Sequence, residues 1–452
     1  MLSHKKIEMI LLINPKTTKP SEFQSEYFRE PNLGLLYLSS VLDRNGIDVD
    51  ILDLEQYFTL SKEDLEQILK ELSLKYHIFG ITCLTNTYEI SISLARLIKK
   101  NNPDAIIVFG GPHVSFLYNK ILQVESVIDY ICVGEAEKSF LQLSKLLIGY
   151  SLNKNSNYKD FTRKLQLIPG LAYRESHGKV FFTGNPEVVD LEALSLPARY
   201  KLSQDNYYYR VANVIVNRGC PNECSFCSRQ NFFQDVRIRS IGSILAEIRE
   251  IIALQNYEYI NFYDNININK KFFHEFCNIF TENQIIIPWG CELRVDAIQR
   301  EDAKLLKEAG CQLIATGIES ASQDVLKINF KYQEPELVLK GLKHLKSQGI
   351  AVQCYFVLGL PGETKATFQK TIDYIKNLPL DQEDKLEYFA ATPYPGSKLW
   401  KNREEYQIRI IETDFSKYDC QHIIFETPDL NFQQLNDMFK TAKELENYHG
   451  TE

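Results

Sequence analysis

The sequence lacks a long apolar segment and an excess of positive charge. No run within its 452 residues approaches the roughly 20 consecutive apolar residues that a membrane-spanning helix needs, so we expect no membrane insertion. Lysine and arginine number 51 against 59 aspartate and glutamate residues, which gives a net charge of −8. Because no basic stripe is present to meet a phosphate backbone, nucleic acid is not an expected partner.

The N-terminal segment also lacks the pattern of a signal peptide. In MLSHKKIEMILLINPKTT, two lysines precede a short apolar stretch, which runs into Asn14-Pro15 without a small-residue cleavage site. We therefore expect residues 7–13 to form a first strand and the protein to be cytoplasmic.

Ten cysteines are present, and in a cytosolic chain they indicate thiols or metal ligands rather than disulfides. Seven of them lie singly, mostly in apolar contexts that are typical of buried core thiols: Cys83, Cys132, Cys277, Cys291, Cys311, Cys354 and Cys420. The remaining three lie close together, which scattered core thiols do not account for.

The first third of the chain alternates short apolar runs with segments of helical periodicity. Strands are predicted at 7–13, 47–53, 77–84, 105–110 and 127–133, and helices near 33–45, 62–74, 88–100, 116–123 and 136–148. Near-continuous apolar strands separated by helices are typical of a parallel sheet that is covered on both faces. The sequence therefore predicts a doubly wound, Rossmann-like α/β domain over residues 1–150.

A different pattern follows in residues 151–205, which we interpret as a linker with a hairpin around His177-Gly178. From there the alternation resumes over 206–405. Strands are predicted at 212–217, 258–263, 285–293, 311–317, 350–358 and 386–391, and helices at 240–254, 271–283, 301–309, 335–348 and 364–377. Since a complete eight-unit barrel takes about 250 residues, a partial (β/α)6 TIM-type barrel fits better. Residues 406–452 are predicted to form a short C-terminal extension that ends in an amphipathic helix near 431–447.

The three grouped cysteines occupy the segment NRGCPNECSFCSRQ, directly after the first predicted barrel strand. Cys220, Cys224 and Cys227 have the spacing Cys-x3-Cys-x2-Cys. Three thiolates on one short loop can bind three of the four irons of a cubane cluster. Gly219 and Pro221 permit the tight turns that direct successive thiolates inward. The fourth iron would then be open to a chelating small molecule.

A zinc site and a thioredoxin-like redox motif fit this loop less well. Structural zinc usually takes four ligands in paired Cys-x2-4-Cys groups, and no second pair exists in the sequence. A thioredoxin-like motif would need Cys-x2-Cys at a helix start in a different fold. The spacing thus favours an iron–sulfur cluster.

With this motif, residues 211–400 resemble the radical-SAM superfamily. The resemblance implies a 4Fe-4S cluster whose open iron binds the amine and carboxylate of S-adenosylmethionine. Phe226 stands in the aromatic position before the third cysteine, and the resemblance implies that it contributes to cofactor binding. Asp264 and Asn265 follow the second strand, where the family contacts the methionine amine. The family more often has two acidic residues there, so Asn265 is a departure.

Further residues follow the next strands in the order that the resemblance implies. WGCELRVD places Trp289, Glu292 and Arg294 near the barrel mouth, and GIES places Glu319 there. A carboxylate at the carboxyl end of a barrel strand indicates function more than stability.

The last two strands end in turns that contain glycine and proline. The fifth runs into GLPGET, whose Gly359 and Pro361 would let backbone approach the adenine, and the sixth runs into TPYPGS. Each of these motifs is weak alone, and their shared order after successive strands is what makes the resemblance specific.

The first domain has its own set of residues at strand carboxyl ends, where an open α/β sheet binds ligands. They are Thr82, Thr85, Gly110, Gly111, His113, Gly134 and Glu135. The two adjacent glycines would let a planar ligand lie against backbone. Gly-x-Gly-x-x-Gly is absent after the first strand, which argues against a dinucleotide.

With GGPH and GEAE, residues 1–150 resemble the cobalamin-binding domain that precedes the barrel in one large subclass of radical-SAM enzymes. Its members include methyltransferases that act on unactivated carbon or phosphorus, an anaerobic porphyrin ring cyclase and a few rearrangement enzymes. The Asp-x-His-x-x-Gly motif, whose histidine binds cobalt from below, is absent, because Gly111 stands two residues before His113. The resemblance therefore implies cobalamin without a lower histidine ligand, and His113 is interpreted as a hydrogen-bonding loop residue. The alternative is a domain that has lost its ligand and only caps the barrel.

The combined resemblance implies a cobalamin-dependent methyltransferase that acts on a small molecule through a 5′-deoxyadenosyl radical and methylcobalamin. A flavodoxin or ferredoxin would be the reductant. The first alternative is a cyclase, oxidase or rearrangement enzyme that uses cobalamin without methyl transfer. The second is an RNA-modifying radical enzyme, which the non-basic C-terminal extension disfavours, and the third is a cobalamin or redox sensor.

Overall fold

The computed structural model describes residues 9–16, 31–57, 61–152, 158–202 and 210–448. The chain divides into two compact units. The first is Met1–Tyr209 with Phe232–Gln234, and the second is Arg210–Asn231 with Asp235–Glu452. Each unit is built around its own sheet, and the predicted combination of two α/β parts with parallel sheets is confirmed.

A seven-stranded sheet forms the centre of the first unit. Its strands are β1 (Ile10–Asn14), β2 (Val49–Asp53), β3 (Ile78–Thr82), β4 (Ile106–Gly110), β5 (Tyr130–Cys132), β6 (Leu171–Arg174) and β7 (Val180–Phe182). The order is β2-β1-β3-β4-β5-β6-β7, and the first five strands are parallel. The chain reverses its direction of growth between β1 and β3, which is the switch point where such sheets bind ligands.

Six α-helices accompany this sheet in the residues that the structure describes. They are α1 (Leu33–Arg44), α2 (Lys62–Lys75), α3 (Tyr88–Asn101), α4 (Pro112–Val124), α5 (Glu137–Leu152) and α6 (Tyr158–Leu165). Two of them begin at polar caps, since Asn32 and Ser61 accept backbone N–H groups of the first turn of α1 and of α2. Apolar residues of α1 and α5 pack on strands such as β1 and β3 in one core.

The hairpin of β6 and β7 continues the first sheet. β6 pairs antiparallel with β5, and β7 pairs antiparallel with β6. The segment predicted to be a linker thus contributes two strands, and the first compact unit extends past residue 150. This arrangement covers the edge of β5, a strand of three residues that would otherwise end the sheet.

A six-stranded sheet forms the centre of the second unit, which has ten strands in all among its described residues. They are β8 (Val211–Ile215), β9 (Asn217–Arg218), β10 (Arg237–Ile238), β11 (Tyr259–Asn265), β12 (Trp289–Glu292), β13 (Cys311–Glu319), β14 (Ala351–Leu358), β15 (Lys385–Ala390), β16 (Arg409–Ile410) and β17 (Phe425–Glu426). The sheet has the order β15-β14-β13-β12-β11-β8, and every pair in it is parallel.

Helices between β8 and β15 connect successive strands in the predicted partial (β/α)6 arrangement, and two further helices follow β15. They are α7 (Arg229–Phe232), α8 (Ile241–Leu254), α9 (Lys270–Glu282), α10 (Arg300–Glu308), α11 (Gln323–Ile328), α12 (Pro335–Lys346), α13 (Lys365–Ile375), α14 (Lys398–Lys401) and α15 (Phe432–Tyr448). Because β8 and β15 each pair on one side, the sheet stays open between them. In the parts of the chain that are described, no helix is long and apolar enough to cross a membrane.

Trp289 corrects one sequence-based expectation. It was placed near the barrel mouth, but it begins β12 at the opposite end of the strand and is fully buried. Its indole N–H donates to the carbonyl oxygen of Ala309 at 2.7 Å, and its ring packs on Phe262 and Phe280. Trp289 is therefore part of the core between the strands and the helices.

The C-terminal extension packs onto the second unit through its helix and its short ribbon. α15, near the position predicted for it, packs along the edge strand β15, where the Glu446 carboxylate accepts the backbone N–H of Tyr388 at 3.3 Å. Such a cover protects an edge strand from pairing with other chains.

Candidate active site

The three cysteines lie on a loop whose base is a two-stranded ribbon. Arg218 of β9 faces Arg237 of β10 in the antiparallel pair. Gly219 begins the loop with φ +85°, and a Cβ on it would lie 2.5 Å from the Asp235 carbonyl oxygen, so only glycine fits this turn. The loop opens beyond the end of β8, the first strand of the six-stranded sheet.

The thiols of this loop are at least partly accessible. Cys220 and Cys224 are half-buried and Cys227 is exposed. Burial raises the pKa of the Cys224 thiol to about 11, although the nearby Lys331 ammonium lowers it. A metal that binds Cys224 would displace this proton, so binding would be favoured by higher pH.

The arrangement of the thiols suits a cluster better than a single metal ion. Among the described residues, no three His, Cys, Asp or Glu side chains converge on a position for one ion. In a cubane cluster each thiolate binds a different iron, so the thiols need not converge. Three cysteines on one loop therefore fit the predicted 4Fe-4S cluster.

Phe226 anchors the cysteine loop from below. It is partly buried and packs against a hydrophobic cluster that contains Leu360 and Leu399 together with Tyr418 and Phe425 of the C-terminal extension. Phe226 stands between Cys224 and Cys227 in the sequence, and in the structure it packs against this hydrophobic cluster. Its predicted contact with the cofactor stays a prediction. The C-terminal extension thus supports the cysteine loop.

The end of β13 brings an acidic and a basic side chain together. A bulge shifts the β13–β14 register between Gly317 and Glu319, and Glu319 adopts a left-handed φ of +64°. Its carboxylate thereby folds back over Gly317, where a Cβ would lie 2.2 Å from its Oε1 atom. There it forms an ion pair with Lys331 at 2.9 Å.

Lys331 is a site residue that the sequence motifs did not reveal. Burial by itself lowers the pKa of this ammonium, but the Glu319 carboxylate and the Cys224 thiol hold the pKa above its ordinary value. A permanent positive charge therefore lies beside the cysteine loop. It can bind the carboxylate of an amino acid such as the methionine part of S-adenosylmethionine. Its position in an irregular segment after α11 left no periodic signal in the sequence.

Arg294, which follows β12, connects the carboxyl end of that strand to the cysteine loop. Its guanidinium donates to Asn222 Oδ1 at 3.1 Å and forms an ion pair with Asp296 at 2.6 Å. It also donates to the backbone carbonyl oxygen of Tyr332. With these partners Arg294 orients the loop, and the exposed Glu292 lies at the carboxyl end of β12 as predicted.

The predicted pair Asp264 and Asn265 ends β11, at the same edge of the sheet. The backbone of Asn265 pairs with Glu292 after a bulge in the β11–β12 register. The side chains of Asp264 and Asn265 lie outside the described part of the structure. Their contact with the cofactor stays a prediction.

The glycine-rich turn after β14 contains a buried carboxyl group. The backbone N–H of Gly359 donates to Glu363 Oε2 at 2.5 Å. The pKa of Glu363 is raised to about 7, because the effect of burial exceeds the opposing effect of the hydrogen bond from the Gly359 N–H. Pro361 contributes its carbonyl oxygen to a hydrogen bond from Asn329 at 2.9 Å. The Glu363 carboxyl group and the Asn329 amide thus stabilise the turn through hydrogen bonds to its backbone. Contact between this backbone and the adenine stays a prediction.

In the first unit, the predicted residues lie at the carboxyl edge of the seven-stranded sheet. Thr82 ends β3, Gly110 ends β4, and Gly134 and Glu135 follow β5. The Gly134 N–H donates to the Ser115 hydroxyl at 2.9 Å, which joins the loop after β5 to the first turn of α4. This edge is the expected ligand position in an open α/β sheet.

His113 is turned into the protein at this edge. Its Nδ1 atom lies 3.2 Å from the Thr85 hydroxyl, its ring packs on Tyr88, and it is 1% exposed. Burial lowers its pKa to about 4, so the imidazole is neutral at physiological pH. His113 thus forms the predicted hydrogen bond, but it does so as the second residue of α4 and not from a loop, and it does not project from the edge as a metal ligand would.

The two adjacent glycines have different surroundings. A Cβ on Gly110 would meet nothing within 4 Å, whereas one on Gly111, whose φ is +100°, would lie 2.7 Å from the Cys83 carbonyl oxygen. Gly111 is therefore required by packing, and only Gly110 leaves open space for a ligand. Leu84, which the sequence motifs did not single out, adds an apolar side chain that is 46% exposed in the loop after β3.

Two family models match the chain, one on each unit. Residues 25–144 match the B12 binding domain, and residues 214–375 match the Radical SAM superfamily. The second match includes the cysteine loop and the strand ends through the glycine-rich turn. The chain belongs to the radical SAM superfamily and has a B12-binding domain. Its cofactors are a 4Fe-4S cluster, S-adenosylmethionine and cobalamin.

Known proteins are similar to this chain over most of its length. An uncharacterized methyltransferase of Pyrococcus horikoshii is 29% identical over 97% of this chain and 92% of its own length. The anaerobic magnesium-protoporphyrin IX monomethyl ester cyclase of Rubrivivax gelatinosus is 29% identical over 86% of this chain and 68% of its own. The structure of the radical S-adenosylmethionine methyltransferase TsrM from Kitasatospora setae superposes with a TM-score of 0.72 at 16% identity and covers 96% of this chain and 88% of that one. This last likeness concerns the fold.

The two units fit the cofactors of a radical SAM enzyme with a B12-binding domain. Three thiols on one loop fit the cluster, and the Lys331 ammonium near Cys224 fits the carboxylate group of S-adenosylmethionine. At the edge of the first unit, the open space over Gly110 and the exposed Leu84 fit a flat apolar corrin. The buried His113 fits cobalamin that is held without this imidazole.

Proposed function

We propose that the protein is a cobalamin-dependent methyltransferase that methylates an unactivated carbon or phosphorus atom of a small molecule. The observation that carries the proposal is the presence, in one chain, of a B12-binding domain and a three-cysteine loop at the carboxyl edge of a radical SAM sheet. The similarity to a relative named as a methyltransferase, over 97% of this chain, supports methyl transfer.

The protein's own part in this chemistry is binding and orientation. When bound, the cluster and S-adenosylmethionine supply a hydrogen-abstracting radical, and cobalamin supplies the methyl group. Cys220, Cys224 and Cys227 would each hold one iron. The Lys331 ammonium would bind the carboxylate of the methionine part, and Glu319, paired with Lys331 at 2.9 Å, would hold it in place. A positioned charge pair of this kind lowers the entropic cost of reaching the reactive geometry.

Cobalamin would lie on the carboxyl edge of the first unit's sheet. The backbone at Gly110 is open, and Leu84 provides apolar contact beside it. Because the His113 imidazole is buried and hydrogen-bonded to Thr85, the corrin would be bound without His113 as a ligand. A reductant such as flavodoxin or ferredoxin would be the partner that supplies electrons to the cluster.

A second candidate is a cyclase that uses the same cofactors without methyl transfer. The similarity to the Rubrivivax gelatinosus cyclase over 86% of this chain favours it. Both candidates predict cleavage of S-adenosylmethionine to 5′-deoxyadenosine. They differ in whether a methyl group reaches the product.

The proposal is tested by anaerobic reconstitution with iron, sulfide and cobalamin, followed by incubation with titanium citrate, methyl-labelled S-adenosylmethionine and a pool of small metabolites. A methyltransferase gives 5′-deoxyadenosine, S-adenosylhomocysteine and a labelled product. Deoxyadenosine without S-adenosylhomocysteine or label would instead support the cyclase. A protein that binds the cofactors and forms neither nucleoside would contradict both and indicate a sensor.

Two cysteine variants make matched controls for this assay. Cys224→Ala should abolish deoxyadenosine formation, because one iron loses its ligand. Cys277→Ala removes a thiol that is fully buried in the core on α9 and should leave the nucleoside products unchanged. If both variants kept the activity, the cysteine loop would not hold the cluster.

A further inference from the structure

Asn329 is fully buried between the cysteine loop and the glycine-rich turn, directly after α11. Its backbone carbonyl oxygen accepts the N–H of Ser225 at 2.9 Å. Its Oδ1 atom accepts the Ser225 hydroxyl at 2.7 Å, and Ser225 is also fully buried. Because Ser225 lies between Cys224 and Cys227, these two bonds hold the middle of the cysteine motif.

The amide nitrogen of Asn329 forms hydrogen bonds to α11 and to the glycine-rich turn. Its Nδ2 atom donates to the carbonyl oxygen of Val325 at 2.8 Å and to that of Pro361 at 2.9 Å. Pro361 belongs to the glycine-rich turn. The side chain thus uses its acceptor toward the loop and both of its N–H donors toward α11 and the turn. The reverse orientation of the amide would place Oδ1 against two carbonyl oxygens.

The same segment determines where Lys331 lies. Phe330 follows Asn329 with a left-handed φ of +54°, and the Lys331 N–H donates to the carbonyl oxygen of Leu326 at 2.9 Å. The chain therefore passes from the buried amide to the ammonium that pairs with Glu319 within two residues. A shift of Asn329 would move the cysteine loop, the turn and Lys331 relative to one another.

We propose that Asn329 is a positioning residue that fixes the cysteine loop and the glycine-rich turn at the separation that S-adenosylmethionine requires. The inference rests on the proposed function, because it takes the loop as the site of the cluster and the turn as the site of the adenine. One ligand that contacts both segments binds well only when their separation is fixed beforehand. A buried amide with every hydrogen-bonding group in use provides that rigidity.

Two substitutions break the connection on opposite sides. Ser225→Ala removes the hydroxyl that Oδ1 accepts and leaves the donors of Asn329 in place. Asn329→Asp keeps an oxygen for Ser225 and loses both bonds from Nδ2. Asn377→Asp is the matched control, since its Nδ2 donates at 2.6 Å to the Asp373 carbonyl oxygen at an exposed helix end.

The experiment uses the full-length, reconstituted holoenzyme and compares wild type, the two single variants, the double variant and the control. Iron content, the change in the EPR spectrum of the reduced cluster on addition of S-adenosylmethionine, and KM and kcat for its cleavage are measured. Each single variant should keep its iron and raise the KM for S-adenosylmethionine about tenfold, with a smaller change in kcat. The double variant should be no worse than the more affected single variant, because the connection is already broken.

Three results would overturn the inference. The first is an unchanged KM in single variants that retain iron. The second is a double variant in which the two single effects multiply to about a hundredfold, because the two residues would then act independently. The third is loss of iron from both single variants, which would indicate a purely structural role. If the EPR spectrum of the wild-type holoenzyme does not respond to S-adenosylmethionine, the proposed function itself is wrong. The inference about Asn329 then fails with it, whatever the variants show.

Discussion

Gly317 shows how a residue without a side chain can shape the candidate site. The bulge in β13 and the left-handed φ of Glu319 turn the carboxylate back toward its own strand. The space that it enters lies above Gly317, where the Lys331 ammonium would also be 3.1 Å from a Cβ. Single residues with strained backbone often lie at functional sites, and Glu319 is one of six non-glycine residues with positive φ among those described.

Gly317→Ala should displace the Glu319 carboxylate, because the new Cβ would lie 2.2 Å from Oε1. The expected result is a rise of about tenfold in the KM for S-adenosylmethionine cleavage, equivalent to the loss of one hydrogen bond. Gly149→Ala in α5 is the control, since a Cβ there meets nothing within 4 Å. It should leave KM unchanged and stabilise the helix by about 0.5–1 kcal/mol. Equal KM values in both variants would show that the position of Glu319 does not matter for binding.

Glu363 makes stability depend on pH. Its folded pKa of about 7 lies above the ordinary value of 4.5, so the folded protein holds the proton more tightly than the unfolded chain. Stability from this group is therefore full below the unfolded pKa and is lost as the pH rises through the folded pKa, by about 3 kcal/mol in total. Glu363→Gln keeps an acceptor for the Gly359 N–H and cannot ionise.

Thermal unfolding of wild type and Glu363→Gln is compared between about pH 6 and about pH 8. The midpoint of the variant should exceed that of wild type at the higher pH, and the two should approach each other at the lower pH. Parallel curves would mean that Glu363 does not titrate in this range.

At the scale of elements, one side chain of the β6–β7 hairpin adds to the backbone pairing with β5 by binding the end of α4. Arg174, at the end of β6, donates from Nη1 to the Leu122 and Glu125 carbonyl oxygens at 2.7 and 2.9 Å. It donates from Nη2 to the Ser126 and Ile128 carbonyl oxygens at 3.1 and 2.5 Å. These carbonyls belong to the end of α4 and the segment after it, so the hairpin also closes the end of a helix.

Arg174→Met should destabilise the first unit by about 3 kcal/mol, because four charged hydrogen bonds, three of them partly buried, are lost together. The matched control is Arg163→Met, whose side chain is 77% exposed and pairs only weakly with Asp160 at 3.3 Å. That change should cost less than about 0.5 kcal/mol. Urea unfolding monitored with a probe in the first unit measures both variants, and similar midpoints would contradict the role of Arg174.

At the scale of the whole molecule, the chain consists of two compact units with separate sheets and separate candidate cofactor sites. The glycine at the end of β4 belongs to one unit, and the cysteine loop belongs to the other. Binding at each site depends on local residues of its own sheet edge. Damage to one site should therefore leave cofactor binding at the other intact.

A pair of variants tests this independence. Gly110→Leu fills the open space at the carboxyl end of β4 and should remove cobalamin while the iron content and deoxyadenosine formation persist. Cys224→Ala should have the opposite effect, with cobalamin retained and deoxyadenosine lost. Cobalt and iron counts with the nucleoside assay give the comparison. Loss of both cofactors from either variant would show that the sites depend on each other.

The sequence by itself determined the elements and the cysteine loop. Cys220, Cys224 and Cys227 are close in sequence, so their spacing alone limits how far apart their thiols can be. Apolar runs that alternate with helical periodicity predicted both parallel sheets, because burial on two faces leaves a direct pattern. The strand ends at Gly110 and at Glu319 could each be placed at the carboxyl edge of their own sheet, because the strands of each sheet were predicted to be parallel.

Only the tertiary structure decided what lies between these elements. Asn329 and Lys331 lie in an irregular segment, where neither period 2 nor period 3.6 applies, and their partners are distant in sequence. Trp289 had the correct strand but the wrong end, since the strand begins later than its apolar run suggests. The direction of the His113 ring toward Thr85 and the attachment of the hairpin to β5 depend on contacts between distant segments, and local patterns do not encode such contacts.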